Sequence, residues 1–226
     1  LFNMSQELRT PLNVVIGFSV IIASQLLGPL GSSRSVEYAE DIRGSGQHLL
    51  SLINDILDLS KAEAGKLELR EAAVDVAAAV DASLRLVRER AEHAGVRLRS
   101  RIDSPAKLQC DERMLKQILL PLLSPALPFP PPGGEVKLLA GIDQIGAFVL
   151  QITDTGIGMA KEDIPRALQA FTQIDSALNR KHDGTGLGLP LSKTMVELHG
   201  GRFNIDSAIG QGTVVTVILP AERILH

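Results

Sequence analysis

Between residues 36 and 64 small or apolar side chains return at alternating steps of three and four: Ala39, Ile42, Gly46, Leu49, Ile53, Ile56 and Ser60. That spacing is the seam of a coiled coil or helical bundle. Upstream, Met4, Leu8, Leu12, Val15, Phe18 and Ile22 form a similar stripe on a second helix. Between the two, Gly28-Pro29-Leu30-Gly31-Ser32-Ser33 is a cluster of turn residues. Two long helices with a short connection predict an antiparallel hairpin. A lone hairpin with so much apolar seam is expected to bury it against a second copy, giving a homodimeric four-helix bundle.

Ala64-Gly65 ends the second helix, and the pattern then changes. Helical runs at 75–94, 111–120 and 187–199 alternate with strand-like runs at 96–102, 135–142, 147–153, 202–207 and 213–219. Such alternation predicts an α+β or α/β layered domain. The segment 121–132 stands apart, holding half of the chain's 12 prolines.

Composition narrows the function classes. With 45% hydrophobic and 22% charged residues, the chain has ample material for a core and no signature of disorder. A net charge of −3, the absence of Trp and an aromatic content of 3% leave neither a basic footprint nor stacking platforms, so nucleic acid is not an expected partner. Residues 10–33 carry no charge and are long enough to cross a bilayer. Pro11, Asn13, Gly17, Ser19, Ser24, Gln25 and Pro29 interrupt them too often for a membrane span. The opening Leu1-Phe2-Asn3-Met4 has no basic n-region or cleavage site, so no signal peptide is expected. Cys110 is the only cysteine, which fits a reducing, cytoplasmic compartment, and it reads as a small core hydrophobe.

Two glycine loops carry the candidate chemistry. Asp154-Thr155-Gly156-Ile157-Gly158-Met159 follows a strand, and Gly184-Thr185-Gly186-Leu187-Gly188-Leu189 opens a helix. Glycines let backbone approach a ligand closely, and helix-start N–H groups attract phosphate. An aspartate at a strand end beside such a turn is placed to accept a hydrogen bond from an adenine amino group. Neither a dinucleotide-binding spacing nor a Walker A loop is present.

Ser5-Gln6-Glu7-Leu8-Arg9-Thr10-Pro11-Leu12-Asn13 resembles the phospho-acceptor box of sensor histidine kinases. The two glycine loops resemble that family's nucleotide-binding boxes, Phe171 sits at its F box, and Gly210-Gln211-Gly212-Thr213 resembles its last loop and strand. The resemblance implies a dimerisation and histidine-phosphotransfer hairpin over 1–66, then an ATP-binding α/β sandwich over 75–222. It implies that Asp154, Gly156, Gly158, Gly184, Thr185, Gly186, Leu187, Gly188 and Thr213 bind ATP or ADP. Arg180, Lys181 and His182 fall where the family has its lid.

Two departures qualify it. The family's acceptor histidine corresponds to Gln6, whose amide has no nucleophilic ring nitrogen. Glu7, in the general-base position, then has no proton to take; His48 lies on the other helix outside any acceptor box. In the N box, QILLPLLSPALPFPPPGGEV, prolines 121 and 125 replace asparagines, Pro128 a lysine and Pro130 a threonine. Pro125 stands where the family ligates magnesium and supplies no side-chain oxygen, so magnesium binding is expected to be weak or absent. Each interior proline costs a helix about 3 kcal/mol, roughly 9 for three, comparable with a domain's whole stability. The helix beginning at Asp111 is therefore expected to stop or kink near Leu120.

The reading is a degenerate histidine-kinase core, deficient in autophosphorylation, with a response-regulator receiver domain or another histidine kinase as partner. Two alternatives stay open. One is a working kinase carrying an acceptor-site substitution. The other is a phosphatase in which Thr10, or Gln6 itself, orients water at an aspartyl phosphate of the regulator.

Overall fold

The computed structural model describes residues 2–26, 28–103, 107–123, 133–172 and 186–225, with side chains before Leu12 and at Ser33 left out of the description. The chain divides into two compact units, Leu1–Leu67 and Glu68–His226.

The first unit is a helical hairpin of α1 (Phe2–Ala23) and α2 (Ser33–Glu63). Ser32 caps α2, its hydroxyl accepting the Arg34 N–H at 3.2 Å. The inward faces are built from small side chains: Ser19, Ala39 and Gly46 are all buried. A Cβ at Gly46 would stand 2.8 Å from Ile16 Cγ1, so the glycine lets the two helices approach closely. This corrects the stripe expected on α1. Its described inward line is Leu12, Ile16, Ser19 and Ala23, whereas Val15, Phe18 and Ile22 face outward. The middle of α1 is apolar nearly all round, so contact distance decides which face pairs, and the smaller face packs closer. On α2, Tyr38, Ile42 and Leu49 are likewise exposed. Among the described residues no helix is long and apolar enough to cross a membrane.

Burial, reinforced by the neighbouring Asp58 charge and opposed by His48, pushes the Asp55 carboxyl up to about 6. Folding there favours the protonated acid, so the hairpin loses stability as pH climbs through that range.

The second unit is a two-layer α/β sandwich. Its five-stranded sheet has the order β2 (Arg97–Ile102), β4 (Glu135–Ile142), β5 (Phe148–Asp154), β7 (Gly212–Leu219), β6 (Arg202–Ala208). Only β2 and β4 run parallel. Alternate residues of the central strands, Val136, Leu138, Phe148, Leu150, Ile152, Val215 and Val217, are buried. Three helices supply the other layer, α3 (Val76–His93), α4 (Glu112–Leu123) and α6 (Gly188–Leu198). Between β5 and α6 lies the single turn of α5 (Ile164–Ala167). A small antiparallel sheet of β1 (Ala72–Asp75), β3 (Lys107–Cys110) and β8 (Ile224–Leu225) completes the unit. These strands have four residues or fewer, too short to show a period along the chain.

α4 includes Pro121 and is described as far as Leu123, three residues past the expected stop near Leu120, where this run of described residues ends. Burial of Leu122 and Leu123 beyond the proline is worth roughly 1.5–3 kcal/mol each against its cost. Room for the ring comes from Gly188 of α6, where a Cβ would meet Pro121 Cβ at 2.9 Å. Prolines 125, 128 and 130 lie outside the described residues.

A buried histidine braces the helix layer. His199, at the end of α6 and 1% exposed, receives the Asp111 N–H on Nε2 at 3.1 Å, and its Nδ1 lies 2.7 Å from Met195 O. A carbonyl only accepts, so Nδ1 carries the proton and the ring is neutral. Asp111 in turn caps α4 through the Met114 N–H at 3.2 Å, and Arg223 reaches His199 O, Gln109 O and Glu71. Cys110, next to this cluster, is buried, and burial pushes its thiol up to about 11, consistent with an inert core residue.

Burial holds the His199 pKa below its ordinary 6.5. A second ring proton would set Nε2–H against the Asp111 N–H. Folding favours the neutral form, so this contribution is complete above about 6.5 and is lost as pH falls below it. His199→Gln should melt below the wild type at neutral pH, and the gap should narrow on acidification. A gap independent of pH would remove this role.

Candidate nucleotide site

Asp154 ends β5, and its carboxylate is held on two sides: Gly156 N–H donates to Oδ1 at 2.7 Å, and the Thr213 backbone N–H donates as well. Burial raises its pKa above the usual carboxylate range, and these two bonds pull it back down. The loop after Asp154 is clamped to the β6–β7 hairpin. Gly210 N–H donates to Ile157 O at 2.7 Å, and Met159 N–H donates to Ser207 Oγ at 2.9 Å. Contact is so close that only glycine fits twice. At Gly158, φ +62, a Cβ would fall 2.0 Å from Ala208 O; at Gly212, φ +83, it would fall 1.9 Å from Asp154 O. Asp154, Gly156 and Gly158 thus form one cluster with Thr213, distant in sequence.

The second cluster surrounds the start of α6. Phe171 N–H donates to Gly186 O at 3.1 Å, with Phe171 exposed and at φ 61, a left-handed value unusual outside glycine. Leu187 at the N-cap makes no side-chain cap hydrogen bond. The first-turn N–H groups of Gly188 and Leu189 have no helical acceptor, the arrangement that attracts phosphate. Gly184, Thr185, Arg180, Lys181 and His182 lie outside the described residues. So do the side chains of Gln6, Glu7 and Thr10, whose backbone belongs to α1.

One residue of the first cluster has no motif to announce it. Ser207, buried in β6, touches Met159, Gly212 and Thr213 at once. A serine within a strand-like run gives no signal; pairing with Thr213 across β6 and β7 is what brings it here.

Two family profiles match the chain in order: His Kinase A (phospho-acceptor) domain over residues 1–65, and histidine kinase-, DNA gyrase B-, and HSP90-like ATPase over residues 110–223. The chain belongs to the histidine kinase family. The motif resemblance and the hairpin-plus-sandwich fold both stand. Among curated relatives, this histidine kinase core is 45% identical over 226 residues to the non-motile and phage-resistance protein of Caulobacter vibrioides, covering 99% of this chain and 27% of that one. It is 42% identical over 234 residues to the cell-division control histidine kinase PdhS of Brucella suis, covering 100% of this chain and 23% of that protein. The chain therefore spans about a quarter of these relatives' length. Full-length ShkA, solved in complex with AMPPNP, superposes with a TM-score of 0.79 at 31% identity, over 96% of this chain and 44% of that one. The Acinetobacter baumannii histidine kinase AdeS shares the fold, with a TM-score of 0.66 at 22% identity over 96% of this chain and 98% of that one.

Proposed function

We propose that this chain is the core of a two-component sensor histidine kinase that holds an adenine nucleotide weakly and does not phosphorylate itself. The observation that carries the reading is a contrast. The base-binding end is assembled, with Asp154 fixed by Gly156 and Thr213, while α1 carries Gln6 where the resemblance puts the acceptor histidine. An ionised carboxylate fixed in this way accepts a hydrogen bond from an adenine amino group, and the first-turn N–H groups of α6 attract phosphate. The AMPPNP bound by ShkA supports the same ligand class here.

The residues do not fit a magnesium ion as they fit the nucleotide. Pro125, where the resemblance places the metal ligand, has no side-chain oxygen. Calorimetric titration with ATP, with and without Mg²⁺, tests the reading. Weak binding that Mg²⁺ tightens by less than about tenfold, roughly 1.4 kcal/mol, is expected. A larger gain would show that the site still assembles a metal, and no binding at all would remove the nucleotide.

A pseudokinase of this kind signals through its hairpin. The outward positions Phe18, Ile22, Tyr38, Ile42 and Leu49 support pairing with a second copy, which light scattering checks; a protein that stays monomeric would end that part of the proposal. The partner is a response-regulator receiver domain or another histidine kinase. The cell-division control named for the Brucella relative supports a signalling circuit of that kind. The buried thiol of Cys110 supports a reducing, cytoplasmic setting for this part of the protein.

A further inference from the structure

We propose that the outer edge of β2 is a docking site for an extended acidic segment of a partner protein. The segment adds to the five-stranded sheet as a further strand and sets carboxylates at alternate positions against Arg97, Arg99 and Arg101. The site is independent of the nucleotide reading.

The sheet has helices on one face only. Along β4, Val136, Leu138 and Ala140 are buried beneath that layer, so Lys137 and Leu139 point the other way. Register carries the same open face onto β2, where Arg97, Arg99 and Arg101 stand beside Glu135, Lys137 and Leu139. All three arginines and Lys137 are exposed. Glu135 pairs with Arg99 at 2.6 Å, and Asp103 pairs with Arg101 at 2.5 Å. Two acids against four cations leave this strip positive, on a chain whose net charge is −3.

Edge strands commonly carry charge, because it discourages pairing with other chains. Sign separates that role from recognition. β6, at the opposite edge, carries Arg202, Asn204 and Asp206 on the same open face, a balanced set. On β2 the three arginines share one sign, and Arg99 stands directly beside Lys137 across the ladder. Like charges in such a pair destabilise a sheet, and protecting an edge does not require them. An anionic partner turns that repulsion into attraction.

Main-chain groups give the partner its shape. Arg97 N–H donates to Gly134 O at 2.9 Å, and Asp103 N–H donates to Ala140 O at 2.8 Å. A parallel ladder uses alternate residues, so Leu98, Ser100 and Ile102 turn their N–H and C=O groups to the outer edge. Among the described residues no strand pairs with them there, and Ser100 is exposed. A strand laid along this edge gains main-chain hydrogen bonds. Its alternate side chains meet the arginines, and those between lie beside half-buried Leu98 and Ile102. The segment that fits therefore alternates acidic and apolar residues.

The test is calorimetric titration of the whole chain, at low salt, with a synthetic peptide of alternating Glu and Val. A second peptide groups its glutamates at one end, keeping the charge and losing the alternation. Two further forms are N-methylated, one at the glutamates and one at the valines, each removing the N–H groups of one edge. The alternating peptide should bind at least about tenfold tighter than the grouped one. One methylated form should lose binding and the other keep it, because a strand docked in one direction faces β2 with one edge. Arg97→Gln, Arg99→Gln and Arg101→Gln together should weaken binding at least about tenfold, with thermal melts confirming folding. Arg202→Gln should leave binding unchanged. Should the triple variant fail to fold, Arg101→Gln decides, with a loss of about threefold expected. Equal binding of the alternating and grouped peptides, or indifference to both methylations, would overturn the proposal. So would a folded triple variant that binds like the wild type, or no binding of the peptide at all. Capture by phosphatidylserine vesicles without peptide binding would overturn it in favour of a lipid surface.

Discussion

Gln6→His alone should yield no detectable autophosphorylation. The change restores a ring nitrogen beside Glu7, but Pro125 still offers no side-chain oxygen and Pro128 no ammonium where the family resemblance places a metal ligand and a phosphate contact. Restoring Pro121→Asn, Pro125→Asn, Pro128→Lys and Pro130→Thr without the histidine should fail equally, because no nucleophile is present. Together the changes should return transfer of radiolabel from ATP to the protein. Two lesions that block one reaction at different points are far from additive, so both repairs are needed at once. Passage of α4 through Pro121 shifts the weight of this argument. At that position helix geometry survives, so the expected failure rests on missing side-chain chemistry rather than on a broken helix. Label appearing on the single Gln6→His protein would mean that the prolines are tolerated. The core would then be a kinase lacking only its acceptor.

Gly212→Ala should unfold the nucleotide end, whereas Gly210→Ala, two residues away, should be borne. Both glycines have positive φ, +83 and +77, and a left-handed backbone costs an L-residue about 1–2 kcal/mol. They differ in surroundings. Nothing lies within 4 Å of a Cβ at Gly210, but at Gly212 it would sit 1.9 Å from Asp154 O and 2.8 Å from Asp154 C. Those are backbone atoms and cannot swing aside, so the β5–β7 pairing must open at Asp154. Adding an overpacking cost of about 1–3 kcal/mol gives a total near 3 or more for Gly212→Ala. For a unit of this size that is a fall in Tm of roughly 6–12 °C, with about 2–8 °C for Gly210→Ala. Nucleotide binding should be lost with Gly212→Ala and kept with Gly210→Ala. Equal melting of the two variants would show that the close approach carries no energy.

How legible the site was depended on the kind of signal. Asp154, Gly156 and Gly158 stood out as a glycine turn after a strand-end aspartate, and Thr213 through the family resemblance alone. Ser207 and His199 did not. Each is a common residue inside a regular element, and each matters only through a partner brought up by the fold: Ser207 through Met159, 48 positions away, and His199 through Asp111, 88 away. No local pattern encodes such distances.

The division between the two levels of information runs along the same line. Taken alone, the sequence determined the hairpin, the five longer strands, the three main helices and the order of the glycine loops. Periodicity and backbone permissiveness are properties of neighbouring residues. It also puts Gln6, which has no ring nitrogen, where the resemblance expects the acceptor histidine. Tertiary structure decided which face of α1 turns inward, because several faces are apolar and only close packing against Ala39 and Gly46 tells them apart. It decided that α4 passes Pro121, because the offsetting burial of Leu122 and Leu123 and the gap at Gly188 come from elements distant in the chain. The place of Ser207 was likewise decided there: Gly212 O and Met159 N–H fix its hydroxyl beside Thr213.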